Sequence, residues 1–194
     1  DSFVVVAGCG ALGTVSASAL VRAGVGRVKI IDRDFIEIHN LQRQLLFNEE
    51  DVENQIPKAV AAQRHLSKIN SDVKIEGVVS DINYSTVESL VEGADLIIDG
   101  SDNFETRLLI NDVSLKHKIP WIYGGAVASG GMTMNIIPGT TPCFRCRLPK
   151  LPEQGVALTC DTAGVIGPAT MTIGALQSAE ALKILTESAK LNLG

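Results

Sequence analysis

A glycine-rich turn near the start of the chain limits the possible folds more than any other feature. Gly8, Gly10 and Gly13 have the spacing G-x-G-x-x-G and directly follow the apolar run Phe3–Ala7. A short continuous apolar run is typical of a parallel strand that is buried on both faces. Glycines at these positions allow a tight turn in which phosphate groups approach the N-terminus of the next helix. The pattern therefore predicts a strand–turn–helix unit that binds a nucleotide.

An acidic residue after the second apolar run strengthens this prediction. Asp32 follows the run 28–31, about 20 residues beyond the glycines, which is the spacing of an acceptor for a ribose hydroxyl. The glycine pattern alone is also compatible with a tight structural turn. Together with Asp32 it favours nucleotide binding, without choosing between NAD, FAD and ATP.

The rest of the chain alternates between strand-like and helix-like segments. Strands are expected at 73–76, 95–99, 121–123 and 132–137, and helices are expected to start at Asn48 and Pro57 and to cover 173–185. This alternation predicts an α/β fold with a Rossmann-like, doubly wound and mainly parallel sheet, flanked by helices and extended by the later strands. Ligands of such sheets bind beyond the carboxyl ends of the strands.

Length, charge and cysteine content exclude several classes of protein. A chain of 194 residues fits one domain, 1–194, which we expect to be truncated at both ends because it starts with Asp and ends soon after an apolar helix. A net charge of −5 with scattered basic residues argues against nucleic-acid binding. No apolar run or leader indicates a membrane, and four cysteines do not resemble a secreted disulfide framework. We expect a cytoplasmic protein.

A polar segment after Asp32 points to the kind of nucleotide. It contains Asp34, Asn40 and Arg43, and Lys58 follows Pro57 at a predicted helix start. Arginine offers a planar fork for phosphate oxygens and lysine a compact charge. Solvated surface cations are the alternative for both. If both cations face the sheet edge, the segment favours ATP over a nicotinamide.

A second acidic position follows a later strand. Asp102 comes just after the predicted strand 95–99, where ligands of this fold bind, and Asn103 lies beside it. A carboxylate at this place can hold Mg²⁺ on the phosphates. A helix-capping acid is the alternative role for Asp102.

These motifs resemble, in order and spacing, those of the ThiF/MoeB/HesA family, the bacterial relatives of the ubiquitin-activating enzymes. The matching motifs are Gly8-x-Gly10-x-x-Gly13, Asp32-x-Asp34, Asn40-Leu41-Gln42-Arg43-Gln44, Pro57-Lys58, Ser101-Asp102-Asn103, Cys143-x-x-Cys146, Thr159-Cys160-Asp161 and Gly164-Val165-Ile166-Gly167-Pro168. The resemblance covers essentially the whole chain and is greatest to the thiamin-pathway ThiF type.

The resemblance implies a reaction and a role for each matched residue. The loop from Gly8 to Gly13, Ala11 included, would cradle ATP, and Asp32 would hold its ribose, with Asp34 also binding the cofactor. Asn40, Arg43 and Lys58 would bind the triphosphate, and Asp102, with Asn103 beside it, would position Mg²⁺. The C-terminal glycine carboxylate of a ubiquitin-like sulfur carrier (ThiS/MoaD-like, ending in Gly-Gly) would attack the α-phosphate. The products are an acyl-adenylate and pyrophosphate.

The cysteines carry further expectations. Cys143 and Cys146 have C-x-x-C spacing, which suits half of a tetrahedral zinc site. Relatives supply a second pair near the C-terminus, so Zn²⁺ is expected only in a full-length protein, and a redox pair is the alternative. By resemblance, Cys160 is a candidate thiol for covalent transfer, although the matching cysteine is dispensable in some relatives.

Other readings stay open. The resemblance implies a homodimer in which a segment before the first strand reaches the partner's site with an arginine. An NAD- or FAD-dependent oxidoreductase would use the glycine turn and Asp32 equally well but leaves Arg43, Lys58 and Asp102 unexplained. A non-catalytic module could dock a ubiquitin-like partner, and a related enzyme could adenylate a peptide or a modified nucleoside. The carrier's pathway, thiamin, molybdopterin or another, is not determined.

Overall fold

The computed structural model describes residues 2–148, 150 and 163–186. In these ranges the strands are β1 (Phe3–Ala7), β2 (Arg27–Ile31), β3 (Lys74–Val78), β4 (Leu96–Asp99), β5 (Trp121–Val127) and β6 (Gly130–Ile136). The helices are α1 (Ala11–Arg22), α2 (Glu49–Glu53), α3 (Lys58–Leu66), α4 (Val87–Val91), α5 (Phe104–His117), α6 (Phe144–Arg147) and α7 (Gly167–Leu185), and a 3-10 turn covers Ile38–Asn40.

The six strands form one sheet in the order β3-β2-β1-β4-β5-β6. All neighbouring pairs are parallel except β5 and β6, which form an antiparallel hairpin. Strands β2 and β3 are added on one side of β1, and β4 to β6 are added on the other side. The strand order therefore reverses between β1 and β4, where a doubly wound fold places its ligand. The predicted fold class is confirmed, including the extension of the sheet by the later strands.

Helices cover both faces of the sheet and divide the core into two layers. On one face, Val4 and Val6 of β1 pack in a cluster with α1, α3 and Ala181 of α7. On the other face, Val5 packs in a cluster with α4, α5 and Phe144 of α6. The strand is fully buried on both sides, as its continuous apolar run predicted.

Some elements differ from the sequence-based expectation. Strand β5 runs to Val127 instead of ending at 123, because residues 124–127 pair with β6 in the antiparallel hairpin. Gly124 and Gly125 weaken the strand propensity of this stretch, which is why the sequence did not predict the extension. Helix α7 begins at Gly167 instead of 173, with a proline in its first turn. Within the described ranges, no helix is long and apolar enough to cross a membrane.

Candidate functional site

Three glycines bring the loops after β1 and β4 into direct contact. Gly8 has a φ of +98°, which favours glycine, and a Cβ at Gly8 would lie 2.6 Å from the Gly100 oxygen. A Cβ at Gly13 would lie 2.0 Å from the oxygen of Gly8, and one at Gly100 would lie 2.4 Å from the same oxygen. A side chain at Gly8 or Gly100 would push the two loops apart, and one at Gly13 would push the start of α1 away from Gly8. The predicted turn therefore also packs against the neighbouring loop.

The N-terminus of α1 is open to an anion. Gly10 is the N-cap, no side chain caps the helix, and the first turn, which starts at Ala11, contains no acidic residue. The first backbone N–H groups of a helix lack partners within it, and its dipole favours negative charge there. This arrangement fits a phosphate group.

Asp32 lies against the glycine loop. Its Oδ2 accepts a hydrogen bond from the backbone N–H of Cys9 at 2.7 Å, and its Oδ1 accepts one from that of Asp34 at 2.8 Å. Burial raises the pKa of the Asp32 carboxyl, and the nearby Lys58 ammonium and these two hydrogen bonds oppose that rise. The carboxylate is held at the edge of the loop, as expected of a ribose ligand.

Lys58 is directed back to the carboxyl edge of the sheet. Its Nζ lies 3.1 Å from Oδ2 of Asp34, and its backbone N–H donates to the Asp34 carbonyl at 2.9 Å. Phe35 and Pro57 form an isolated β-bridge beside this pair. Lys58 is only 8% exposed, so it is not the solvated cation of the alternative interpretation.

Asn40 and Arg43 lie on the segment that follows. Asn40 is buried, and its Oδ1 accepts a hydrogen bond from the Glu37 N–H at 3.1 Å, so part of its role is to close the 3-10 turn. Arg43 donates from Nη1 to the His39 carbonyl at 3.0 Å. The start of α7 packs on this segment, because a Cβ at Gly167 would lie 2.9 Å from the Gln42 oxygen. Binding of a triphosphate by Asn40 and Arg43 stays a prediction.

Asp102 and Asn103 have different local roles. The side chain of Asn103 caps α5 by accepting a hydrogen bond from the Thr106 N–H at 2.8 Å. Asp102 is exposed, and Oδ1 of its carboxylate accepts a bond from Asn103 Nδ2 at 3.2 Å. Since the cap belongs to Asn103, the Asp102 carboxylate is free to bind a cation. Its oxygens and its place beyond β4 fit Mg²⁺.

Sequence reasoning missed the polar groups that support this loop. Asp99, the last residue of β4, is fully buried and pairs with the Arg107 side chain at 3.0 Å. From the opposite face, Gln177 of α7 donates from Nε2 to the Asp99 carbonyl at 2.8 Å and to that of Ile122 at 3.2 Å. The only sequence signal was the presence of polar residues on otherwise buried elements.

The cysteine pair lies on the α5 side of the molecule. The sulfur atoms of Cys143 and Cys146 are 3.3 Å apart, and both thiols are free. Asn111 of α5 accepts a hydrogen bond from the Phe144 N–H at 2.8 Å, which anchors the turn. Burial acts to raise the pKa of Cys143, but hydrogen bonds, first from the Cys146 thiol, outweigh it and lower that pKa.

The two thiols fit half of a zinc site and no more. In the part of the chain that the structure describes, no group of three or more His, Cys, Asp or Glu side chains could hold a metal ion. Cys160 lies outside the described residues.

Comparisons with known proteins identify the family of the chain. The model of the ThiF family matches residues 1–193. The sulfur carrier protein ThiS adenylyltransferase of Bacillus subtilis is 52% identical over 96% of this chain and 55% of its own length. The SAMP-activating enzyme E1 of Haloferax volcanii is 38% identical over 96% of this chain and 68% of its own length. The crystal structure of Escherichia coli MccB with ATP superposes with a TM-score of 0.86 at 27% identity, over 100% of this chain and 58% of that one.

The chain thus spans little more than half the length of the Bacillus relative and of the solved structure. The family match itself covers nearly every residue, and the superposition on MccB agrees with the six-stranded sheet. The chain belongs to the ThiF family.

Proposed function

We propose that this protein uses ATP to adenylate the C-terminal glycine carboxylate of a ubiquitin-like sulfur carrier, with release of pyrophosphate. The observation that carries the proposal is the Lys58–Asp34 pair, which holds a buried cation next to Asp32 and the glycine loop. A hydride-transfer enzyme would use the glycine turn and Asp32 equally well, but that alternative leaves the buried Lys58 cation unexplained. A cation beside the phosphate loop serves phosphate chemistry.

The names of the relatives support the substrate class. The Bacillus relative is a sulfur carrier protein ThiS adenylyltransferase, and the Haloferax relative is an E1 that activates SAMP. Both are more similar in sequence to this chain than MccB is. A carrier of the ThiS type is therefore the first substrate to test.

The described residues divide the work of the reaction. The open end of α1 would bind phosphate oxygens, and Asp32 would fix the ribose. Lys58 and Arg43 would neutralise charge on the phosphates as the bond to pyrophosphate breaks. Magnesium, held by Asp102, would supply further charge neutralisation. The attacking carboxylate is already ionised, so positioning and electrostatics suffice without a general base.

Other parts of the proposal rest on family resemblance. We expect the protein to act as a homodimer in the cytoplasm. Cys143 and Cys146 would supply two of the four zinc ligands in a full-length protein. The Cys160 thiol would attack the carbonyl of the acyl-adenylate, losing its proton and releasing AMP, to form a thioester. Direct metal analysis, mass measurement of the native assembly, and trapping of a thioester on wild type but not on Cys160→Ser test these three parts separately.

A second candidate is adenylation of a peptide. It is favoured by the likeness to MccB, a microcin C7 biosynthetic enzyme that has been solved in complex with MccA. That likeness is at about half the sequence identity of the Bacillus relative, 26% against 52%.

The decisive experiment is ATP–pyrophosphate exchange with the full-length protein. We expect exchange that depends on a carrier with an intact C-terminal Gly-Gly and that disappears when the last glycine is removed. Exchange driven by a short peptide but not by any carrier would select the second candidate. Tight NAD binding without exchange would reject both.

Replacement of Asp102 by Ala should lower carrier-dependent exchange by at least about 100-fold, the typical effect of losing a group that stabilises charge in the transition state. Because Asn103, not Asp102, caps α5, the variant should fold normally by circular dichroism. Activity equal to wild type would remove Asp102 from the site.

A further inference from the structure

We propose that Arg107 is a positioning residue, which sets the Gly100–Asp102 loop so that the Asp102 carboxylate faces the nucleotide. This inference rests on the proposed function for its activity readouts, whereas its hydrogen-exchange readout is independent of that function. Arg107 lies on the first turns of α5 and is 8% exposed. Its guanidinium donates hydrogen bonds to Asp99, Ser101 and Gly124, so it acts through the loop.

The guanidinium of Arg107 joins three elements. Its Nε donates to Oδ2 of Asp99, at the end of β4, at 3.0 Å. Its Nη2 donates to the carbonyl of Ser101 at 2.8 Å and to that of Gly124, in β5, at 3.1 Å. One side chain thereby links β4 and β5 to the loop that carries Asp102.

The same loop is held from its other side by the carboxylate that Arg107 binds. Oδ1 of Asp99 accepts hydrogen bonds from the Ser101 N–H at 2.9 Å and from the Ser101 hydroxyl at 2.6 Å. Ser101 is therefore fixed by its carbonyl, its N–H and its hydroxyl. Among the described residues, the Asp102 side chain has one hydrogen bond, from Asn103, and an electrostatic interaction with Arg107. Its place therefore depends on Ser101, the residue before it.

The position of the guanidinium is itself restricted. It lies 5.1 Å from the ring centroid of Tyr123 and 5.8 Å from that of Phe104. A planar fork between aromatic rings can direct parallel donors to fixed acceptors. A lysine keeps the charge for Asp99 but has no fork, so it cannot reproduce the bonds to Asp99, Ser101 and Gly124 together.

This difference provides the test, Arg107→Lys in the full-length protein. Arg27→Lys is the matched control, because Arg27 pairs with Glu76 at 2.6 Å at the opposite end of the sheet. Both variants keep the charge of a paired cation, and urea unfolding of each checks that the fold persists. If Arg107→Lys does not fold, Ser101→Ala, which removes only the hydroxyl bond to Asp99, takes its place.

Three readouts are expected to change in Arg107→Lys and not in Arg27→Lys. Hydrogen exchange in peptides covering 100–103 should accelerate by about tenfold, while peptides in β1 stay unchanged. In carrier-dependent exchange, kcat should fall by about 10- to 100-fold and half-maximal Mg²⁺ should rise, because a small displacement of a positioning group has effects of this size. The KM for ATP should change less than threefold, since the glycine loop and Asp32 are untouched.

The outcomes separate the inference from the proposed function. Unchanged hydrogen exchange at 100–103 overturns the inference, whatever the activity. Faster hydrogen exchange at 100–103 with unchanged kcat and Mg²⁺ dependence also overturns it, because loosening the loop would then have no effect on the reaction. If wild type lacks carrier-dependent activity, the proposed function fails, and MgATP binding by calorimetry replaces kcat as the readout for Arg107→Lys. Weaker MgATP binding with equal metal-free ATP binding supports the inference, and equal binding of both overturns it.

Discussion

At the scale of single residues, ligand binding and folding favour different protonation states of Asp32. Its carboxylate is bound by the Cys9 and Asp34 N–H groups at the edge of the glycine loop. Its pKa is nevertheless raised, because burial outweighs those bonds and the charge of Lys58. The ionised form that a ribose needs is therefore the form that folding tolerates least.

Asp32→Asn should change the pH dependence of stability in a predictable direction. The raised pKa means that Asp32 contributes stability below the ordinary aspartate pKa and loses it as the pH rises through the raised value. The free energy of unfolding of the variant, relative to wild type, should therefore increase with pH across that interval and be constant above it. Urea unfolding at a series of pH values measures this slope.

A constant offset from the altered hydrogen bonds does not affect that slope. A relative stability that falls with pH would contradict the assignment. The same variant should bind ATP at least about tenfold more weakly, since a hydrogen bond to a charged group contributes about 1.5–3 kcal/mol.

Gly13→Ala tests how closely the start of α1 packs against the glycine turn after β1. Its Cβ would lie 2.0 Å from the Gly8 oxygen, so the loop must move. We expect a loss of at least about 2 kcal/mol of stability together with loss of ATP binding. Gly130→Ala is the control, because its Cβ meets nothing within 4 Å, and its effect should stay within about 0.5 kcal/mol. Equal effects of the two changes would mean that the contact is not restrictive.

At the scale of elements, α7 connects the early and late parts of the sheet. A Cβ at Gly174 would lie 2.8 Å from Cβ of Val15, so α7 and α1 pack at close range. Gln177 of the same helix bonds to the last residue of β4, Asp99, and to Ile122 near the start of β5. The close packing of α7 on α1 at Gly174 therefore allows Gln177 to make these hydrogen bonds.

Gln177→Ala should destabilise the protein by about 2–4 kcal/mol, because it leaves a cavity and removes the donor from two carbonyls in the interior. Leu176→Ala, at the next and exposed position, should cost less than about 1 kcal/mol. Chemical denaturation of both variants gives the comparison. Similar losses would show that packing of α7, and not the Gln177 bonds, sets the stability.

At the scale of the whole molecule, ligand and fold are linked through the site between β1 and β4. A ligand that binds only the folded state stabilises it by about 2.7 kcal/mol at 100 times its dissociation constant. For a domain of this size we expect MgATP to raise the midpoint of thermal unfolding by about 5–10 °C. NAD at the same concentration should produce no shift, and a larger shift with NAD would favour the oxidoreductase alternative.

Local patterns predicted the fold class and the residues of one wall of the site, but not the groups that support it. The glycine turn and Asp32 were predictable because each lies at a fixed spacing on one strand–turn–helix unit. The choice between Asp102 and Asn103 as helix cap needed coordinates, since both residue types cap helices. Gln177 meets Asp99 across 78 positions of sequence, and no local pattern encodes such a contact.

The contact of Gly8 and Gly13 with Gly100 places the site between two halves of the chain, one that ends before β4 and one that begins with β4. The first two glycines precede the reversal of the sheet order, and Gly100 and Asp102 follow it. Gly93, exposed and with nothing near its Cβ position, lies between the halves and offers a place to divide the polypeptide. Neither half alone would contain a complete site. Recovery of ATP binding on mixing two such halves would then serve as a complementation assay for their association.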